Sequence, residues 1–183
     1  MFEFKCNYSY DEAAEIADHY LGLMKQIDKM KRGRKMKVKS LSEISKRWRF
    51  ISMATIFIAA ISFMEYLNKG EVYMVAFAAV LLVYGISCFI SSVREKIVLN
   101  AYSPVMSIEI KGDGKGMKEL KDGNVVKEFT WKEFEYCIVT EKIMTFFGKN
   151  KGTMCIGFSE ERLETFEHFL ESKGMDADYI IKC

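Results

Sequence analysis

The residues that could do chemistry in this 183-residue chain are few, and their spacing argues against most reactions. Its two histidines, His19 and His168, each fall in a stretch of helical spacing. Neither has a His, Cys or carboxylate partner at metal-ligand spacing, and no HExxH occurs. One ligand does not make a metal site, so neither is assigned a metal or catalytic role. The five cysteines (Cys6, Cys88, Cys137, Cys155 and Cys183) contain no CxxC pair and are odd in number. They suggest neither a metal knuckle nor a disulfide framework, and fit a reducing compartment. Cys88, within an apolar run, reads as a small packed hydrophobe.

Gly112-Asp113-Gly114-Lys115-Gly116 has the glycine content of a phosphate loop but lacks the Gly-Lys-Ser/Thr ending. Such a loop must lead from a strand into a helix N-terminus, where free amides and the dipole meet the anion. Here strands and charged turns flank it, so it reads as a plain loop. A GxSxG elbow is absent too. Glu65 is the ionisable residue closest to the apolar stretches and lacks a partner in the second of them, so it reads as solvated rather than as part of an ion path. No set of acid, base and nucleophile emerges, and the expectation is a protein that is not an enzyme and takes no cofactor.

One charged feature remains. Lys29, Lys31, Arg32, Arg34, Lys35, Lys37, Lys39, Lys46, Arg47 and Arg49 crowd one short segment, although the net charge of the whole chain is only +2. The run orients the chain in a membrane, and as a juxtamembrane patch it also suits anionic lipid headgroups. The lipid-contact candidates are Lys31, Arg32, Arg34, Lys35, Lys37, Lys39, Lys46, Arg47 and Arg49. Nucleic acid is not an expected partner, because aromatic residues are not interleaved with the charges.

These charges must be positioned by the apolar stretch that follows, Phe50 to Val93. Val72 to Val93 contains no charge and exceeds the roughly 20 residues needed to cross a bilayer. Phe50 to Met64 is shorter and is extended by Tyr66 and Leu67, with Trp48, Tyr66 and Tyr73 placed as interface aromatics. The expected spans are about 48–67 and 72–93, joined by a turn at Gly70. The turn from Glu65 to Glu71 holds one lysine against two glutamates, whereas Arg94 and Lys96 follow the second span. The positive-inside rule then places both termini in the cytoplasm of a multi-pass cell-membrane protein. Ala76, Ala78, Ala79 and Gly85 are small enough for close helix contact. The first residues, Met1-Phe2-Glu3-Phe4-Lys5, lack the layout of a signal peptide.

The flanks carry other periods. Phe2, Phe4, Cys6 and Tyr8 alternate as in a strand. Ser9 with Glu12 has capping-box spacing, and a helix from about Tyr10 to Lys31 carries the stripe Ile16, Tyr20, Leu23, Met24, Ile27, Met30. Arg32-Gly33-Arg34 breaks it. Ser40 with Glu43 opens a second helix that runs into the first span. Beyond the spans, period two predicts strands over Val98–Tyr102, Val105–Ile110, Val125–Trp131, Phe134–Thr140, Ile143–Phe147 and Thr153–Phe158. Gly112-Asp113-Gly114, Asp122-Gly123-Asn124 and Gly148-Lys149-Asn150 mark turns. Ser159-Glu160-Glu161 starts a helix to about Ser172 with Leu163, Phe166, Phe169 and Leu170 on its apolar face and Gly174 ending it. A strand meander closed by an amphipathic helix outlines a small split barrel, so the fold class is an α+β membrane protein. The division is 1–39, 40–96 and 97–183.

On Tyr8-Ser9-Tyr10-Asp11-Glu12, the two adjoining spans and Glu128-Phe129-Thr130-Trp131-Lys132-Glu133-Phe134, the chain resembles the YcxB-like family of bacterial membrane proteins. Trp131 matches the Trp-containing strand end of that family, while Gly157-Phe158 stands where many relatives carry Pro-Lys. The resemblance implies a pleckstrin-homology-like (PH-like) C-terminal domain and no established activity. The functional expectation is a membrane-anchored binding or adaptor module. Its partners would be the bilayer, a membrane or cytoplasmic protein, or a second copy of itself. The alternative is an accessory subunit of a transporter or envelope-stress system working through the hairpin.

Overall fold

The computed structural model describes residues 1–30, 37–102, 105–121, 123–149, 152–175 and 177–183. They form two compact units, Met1–Val38 with Ser103–Cys183, and Lys39–Tyr102. Met1–Val38, nearly all of the N-terminal segment 1–39 set apart on sequence, therefore falls in the same unit as the C-terminal strands. The reason is pairing across a long interval. Strand β1 (Phe2–Asn7) lies antiparallel to β2 (Ser107–Gly112) along its whole length, from Phe2 opposite Gly112 to Asn7 opposite Ser107.

The first sheet continues through β3 (Gly116–Lys121) and β4 (Asn124–Thr130) in the order β1-β2-β3-β4. Phe2, Phe4 and Cys6 on β1 and Ile108 and Ile110 on β2 point into the core, with the intervening residues outward. That alternation is what a sheet with one wet face requires. The outward positions form a charged ladder: Lys5 lies 2.8 Å from Glu3 and 3.0 Å from Glu109, and Lys118 lies 3.0 Å from Glu128. The second sheet has the order β7-β6-β5-β8, from β5 (Phe134–Val139), β6 (Ile143–Gly148), β7 (Thr153–Gly157) and β8 (Ile180–Lys182).

Both faces of this second sheet are covered. On one face Cys137, Val139, Met144 and Phe146 meet the inward residues of the first sheet and the closing helix α4 (Glu160–Ser172). Phe166 of α4 makes edge-on ring contacts with Phe2, Phe134 and Phe146, the last at 5.0 Å. On the other face Ile138, Ile143 and Phe147 pack with Leu23, Ile16, Tyr20 and Ile27 of helix α1 (Tyr10–Met30). β6 is therefore apolar at nearly every position, since neither side meets water. Burying such a Phe or Ile fully contributes about 1.5–3 kcal/mol. Met24, expected in the α1 stripe, is exposed, and the inward positions include Ala13, Ala17 and Gln26.

Capping chemistry sets the helix starts. Ser9 and Glu12 exchange the expected bonds, Ser9 N donating to Glu12 Oε2 at 2.8 Å. Ser40 and Glu43 do the same at the start of helix α2 (Leu41–Lys69), and Ser159 Oγ accepts from Arg162 N at α4. Arg32-Gly33-Arg34 lies outside the described residues. Gly70 ends α2 with φ 72°, a left-handed conformation that glycine adopts without a Cβ penalty. Helix α3 (Val72–Ala101) follows at once.

One strand expectation fails, and two strands appear that the sequence did not announce. Val98–Tyr102 is the last turn and cap of α3, because a helix already formed extends more readily than it starts, and Val98 is the one β-branched residue there to oppose it. β3 escapes the period-two reading since Glu119 occupies an inward position beside a bulge and breaks the apolar alternation. β8 is short and pairs in parallel with β5, Cys137 opposite Ile180, which is where the C-terminal tail docks.

The second unit is the antiparallel pair α2 and α3, helices of 29 and 30 residues, each long and apolar enough to cross a membrane. Their contact faces repeat every seven residues: Ser45, Ser52 and Ala59 on α2, and Ala78, Gly85 and Ser92 on α3, all buried. A seven-residue repeat keeps one seam facing its partner. Ser45 Oγ donates to Ser92 O and Ser92 Oγ to Ser45 O, both at 3.0 Å. Ser52 Oγ donates to Gly85 O at 2.7 Å. A Cβ on Gly85 would lie 2.8 Å from Ile56 Cγ1, so glycine is what lets the helices approach there. Ala78 and Gly85 thus sit in the seam, whereas Ala76 and Ala79 face outward.

Candidate functional site: a basic cleft on the hairpin

The reciprocal Ser45–Ser92 bonds clamp α2 to α3 near the end of the hairpin where the basic residues lie. Next to this clamp the helices leave a cleft of about 240 Å³. Three basic side chains line it, Lys46 and Arg49 from α2 and Lys96 from α3. Ser42, Ser45 and Asn100 add polar groups, and Leu41 and Leu99 add apolar wall. Glu95, buried between the helices, contributes the one carboxylate of the lining.

Local structure explains the convergence. On α2, Leu41, Ser42, Ser45, Lys46 and Arg49 follow the three-and-four spacing of a single helix face. On α3, Glu95, Lys96, Leu99 and Asn100 do the same. The seam of small residues brings the two faces together. The Ser45 hydroxyl already donates to Ser92 O, so it serves as a fixed floor. The lysines, the arginine and Asn100 supply donor groups. Three cations over one carboxylate in a small recess can hold an oxyanion through charge-assisted hydrogen bonds.

The lipid-contact residues expected from the sequence separate in the structure. Lys46 and Arg49 line the cleft. Arg47, on the same helix, is exposed and not part of the lining. Lys37 belongs to the sheet unit, where it pairs with Glu141 at 2.9 Å and lowers the pKa of that carboxyl. Lys39 is exposed just ahead of the Ser40 cap. Lys31, Arg32, Arg34 and Lys35 lie outside the described residues. Sequence reasoning missed Lys96, Asn100 and Glu95 as members of the same site. The signal that finds them is the seven-residue seam, since pairing Ser45 with Ser92 sets Ser42 near Glu95 and Lys96.

The other candidates remain apart. Among the described residues no group of three or more His, Cys, Asp or Glu is placed to hold a metal ion. His168 Nδ1 lies 3.5 Å from Glu171 on the exposed face of α4. Gly112 to Gly116 is the turn between β2 and β3. Its amides are turned inward on the chain itself: Asp113 Oδ1 accepts from Lys115 N at 2.7 Å and Gly116 N at 3.1 Å, which lowers the Asp113 pKa. Trp131 caps the same turn, donating from Nε1 to Asp113 O at 2.8 Å and packing on Phe134 and Phe169. Burial pushes the Cys155 thiol up to about 12 and raises Cys137 as well, which leaves both unreactive as thiolates near neutral pH.

No family model, curated protein or solved structure matches the chain.

Proposed function

We propose that this protein is a non-enzymatic, membrane-anchored binding module. Its hairpin crosses the bilayer, its two termini lie in the cytoplasm, and its sheet unit is a PH-like domain of the kind the YcxB-like resemblance implies. The observation that carries the reading is the inverted hairpin. Its seam encloses Ser45, Ser52, Gly85 and Ser92, while Phe50, Phe57, Val80 and Val83 are each about 70% exposed, at 74%, 68%, 68% and 69%. Two bare helices with their large apolar residues outward are unfavourable in water and favourable in hydrocarbon. The basic residues at the Lys46 end, against the Lys69 turn with its flanking Glu65 and Glu71, support the cytoplasmic placement of that end.

Two four-stranded sheets closed by a C-terminal helix support the PH-like reading of the other unit. The chain leaves this unit after α1 and re-enters it at β2, so two connections tether it to the hairpin. Such a double tether suits a domain that presents a binding surface at the membrane. The test is alkaline carbonate extraction of the full chain from cell membranes, combined with thiol labelling of Asn68→Cys in a background lacking the native cysteines. Retention in the pellet, with the introduced thiol labelled from the outside, supports the reading. Release into the supernatant would falsify it.

A further inference from the structure

We propose that the cleft between α2 and α3 seats the phosphate of an anionic phospholipid at the cytoplasmic face of the membrane. This deepens the proposed function and rests on its membrane reading.

Depth is the first argument. Arg49 immediately precedes Phe50, where the charge-free stretch of α2 begins, and Lys96 follows Val93, where that of α3 ends. The lining therefore stands at the boundary between hydrocarbon and water, the level of lipid phosphates. Charge is the second. Lys46, Arg49 and Lys96 against Glu95 give a formal +2, which suits one phosphate group. Size is the third. About 240 Å³ falls below the roughly 300–1,000 Å³ of pockets for drug-sized ligands and cofactors, and fits a headgroup fragment. The aliphatic walls, Leu41 and Leu99, suit the glycerol and acyl root of a lipid better than a hydrated free anion. Finally, the recess is built. Its floor is fixed by the Ser45–Ser92 clamp, so the helix faces that carry the cations are already side by side before the ligand arrives.

This differs from a diffuse basic surface. Arg47 and Arg94 lie on the same two helices at the same level, are exposed, and do not line the cleft. Each charge near an anionic surface contributes similarly when binding is diffuse. A seated phosphate discriminates between them.

The experiment uses the full chain in phosphatidylcholine nanodiscs doped with phosphatidylglycerol, with retained lipid counted by native mass spectrometry after ejection from the disc. Lys46→Gln/Lys96→Gln should weaken phosphatidylglycerol retention roughly tenfold to thirtyfold, and Arg47→Gln/Arg94→Gln, which removes the same charge, should change it less than about threefold. Equal losses in both double variants would overturn the proposal in favour of diffuse attraction. Displacement of the lipid by millimolar glycerol phosphate would overturn it in favour of a free-phosphate site. Carbonate extraction of each variant separates the two readings: a chain that stays in the pellet but shows no preference for phosphatidylglycerol overturns the cleft and leaves the anchor standing.

Discussion

In the sheet unit Phe146, Phe166 and Ile110 are fully enclosed and the lysines and glutamates of β1 and β2 face outward. In the hairpin Ser45, Ser52, Gly85 and Ser92 are enclosed and Phe50, Phe57, Val80 and Val83 face outward. One chain thus obeys two opposite rules of burial. The difference is what the proposed membrane placement of the hairpin requires. In water the energetic return comes from hiding apolar area, so large side chains go inside. In hydrocarbon that return vanishes, and helices associate through close approach and hydrogen bonds, so small and hydroxyl-bearing residues go inside. The same residue type should therefore matter in one unit and not in the other.

The largest expected effect tests this directly. Phe166→Ala removes the ring that joins both sheets to α4, and should destabilise the sheet unit by about 3–5 kcal/mol. The identical truncation at Phe57, exposed on α2, should shift stability by no more than about 0.5 kcal/mol. Thermal unfolding in nanodiscs, read by Trp131 fluorescence in a Trp48→Phe background for the sheet unit and by energy transfer between labels on α2 and α3 for the hairpin, reports the two units separately. Comparable losses at both sites would mean that the outward face of α2 is covered by protein.

Enlarging a small residue should have the reverse pattern. Gly85→Val drives a side chain into Ile56 and Thr55 and should cost about 1–3 kcal/mol of hairpin stability. Ala79→Val, outward on the same helix, should be neutral. Energy transfer between labels on α2 and α3 during denaturation measures the separation of the helices. A smaller effect is expected of Ser52→Ala, which removes the bond to Gly85 O and should cost about 0.6 kcal/mol in the same assay.

The smallest effect concerns acid and the sheet unit. Bonding to the Lys5 ammonium lowers Glu3 to about 2, bonds from Ser9 lower Glu12, and the Lys115 and Gly116 amides lower Asp113. Each carboxyl titrates below its unfolded value. For Glu3 the stability this contributes is present in full above about pH 4.5 and is lost as the pH falls toward about 2. Acid titration followed by Trp131 fluorescence should show a loss in that window, and Glu3→Gln should shrink it.

Much of this architecture is legible in the residues because local chemistry decides it. Capping boxes at Ser9 and Ser40, the N-cap at Ser159 and the left-handed Gly70 act within a few residues of themselves, and the apolar runs of α2 and α3 declare their length directly. β5, β6 and β7 are legible by composition. β3 is not, since Glu119 faces inward and no local pattern announces a buried carboxylate. The site is half legible. Its cations can be read as a run of charge, but a run does not say which members converge.

The sequence by itself determined the two long apolar helices, the sign of charge beside them, the caps that start α1, α2 and α4, the glycine that stops α2, and the alternation of most strands. These depend on interactions within one turn or one strand. Only the tertiary structure decided that β1 pairs with β2 across about a hundred intervening residues, that the C-terminal tail lies parallel to β5, and that Lys96 joins Lys46 and Arg49 while Arg47 does not. Those outcomes depend on which distant surfaces meet. A seam of serines and one glycine, spaced by seven, sets that meeting in the hairpin, and the aromatic rings of α4 set it in the sheets.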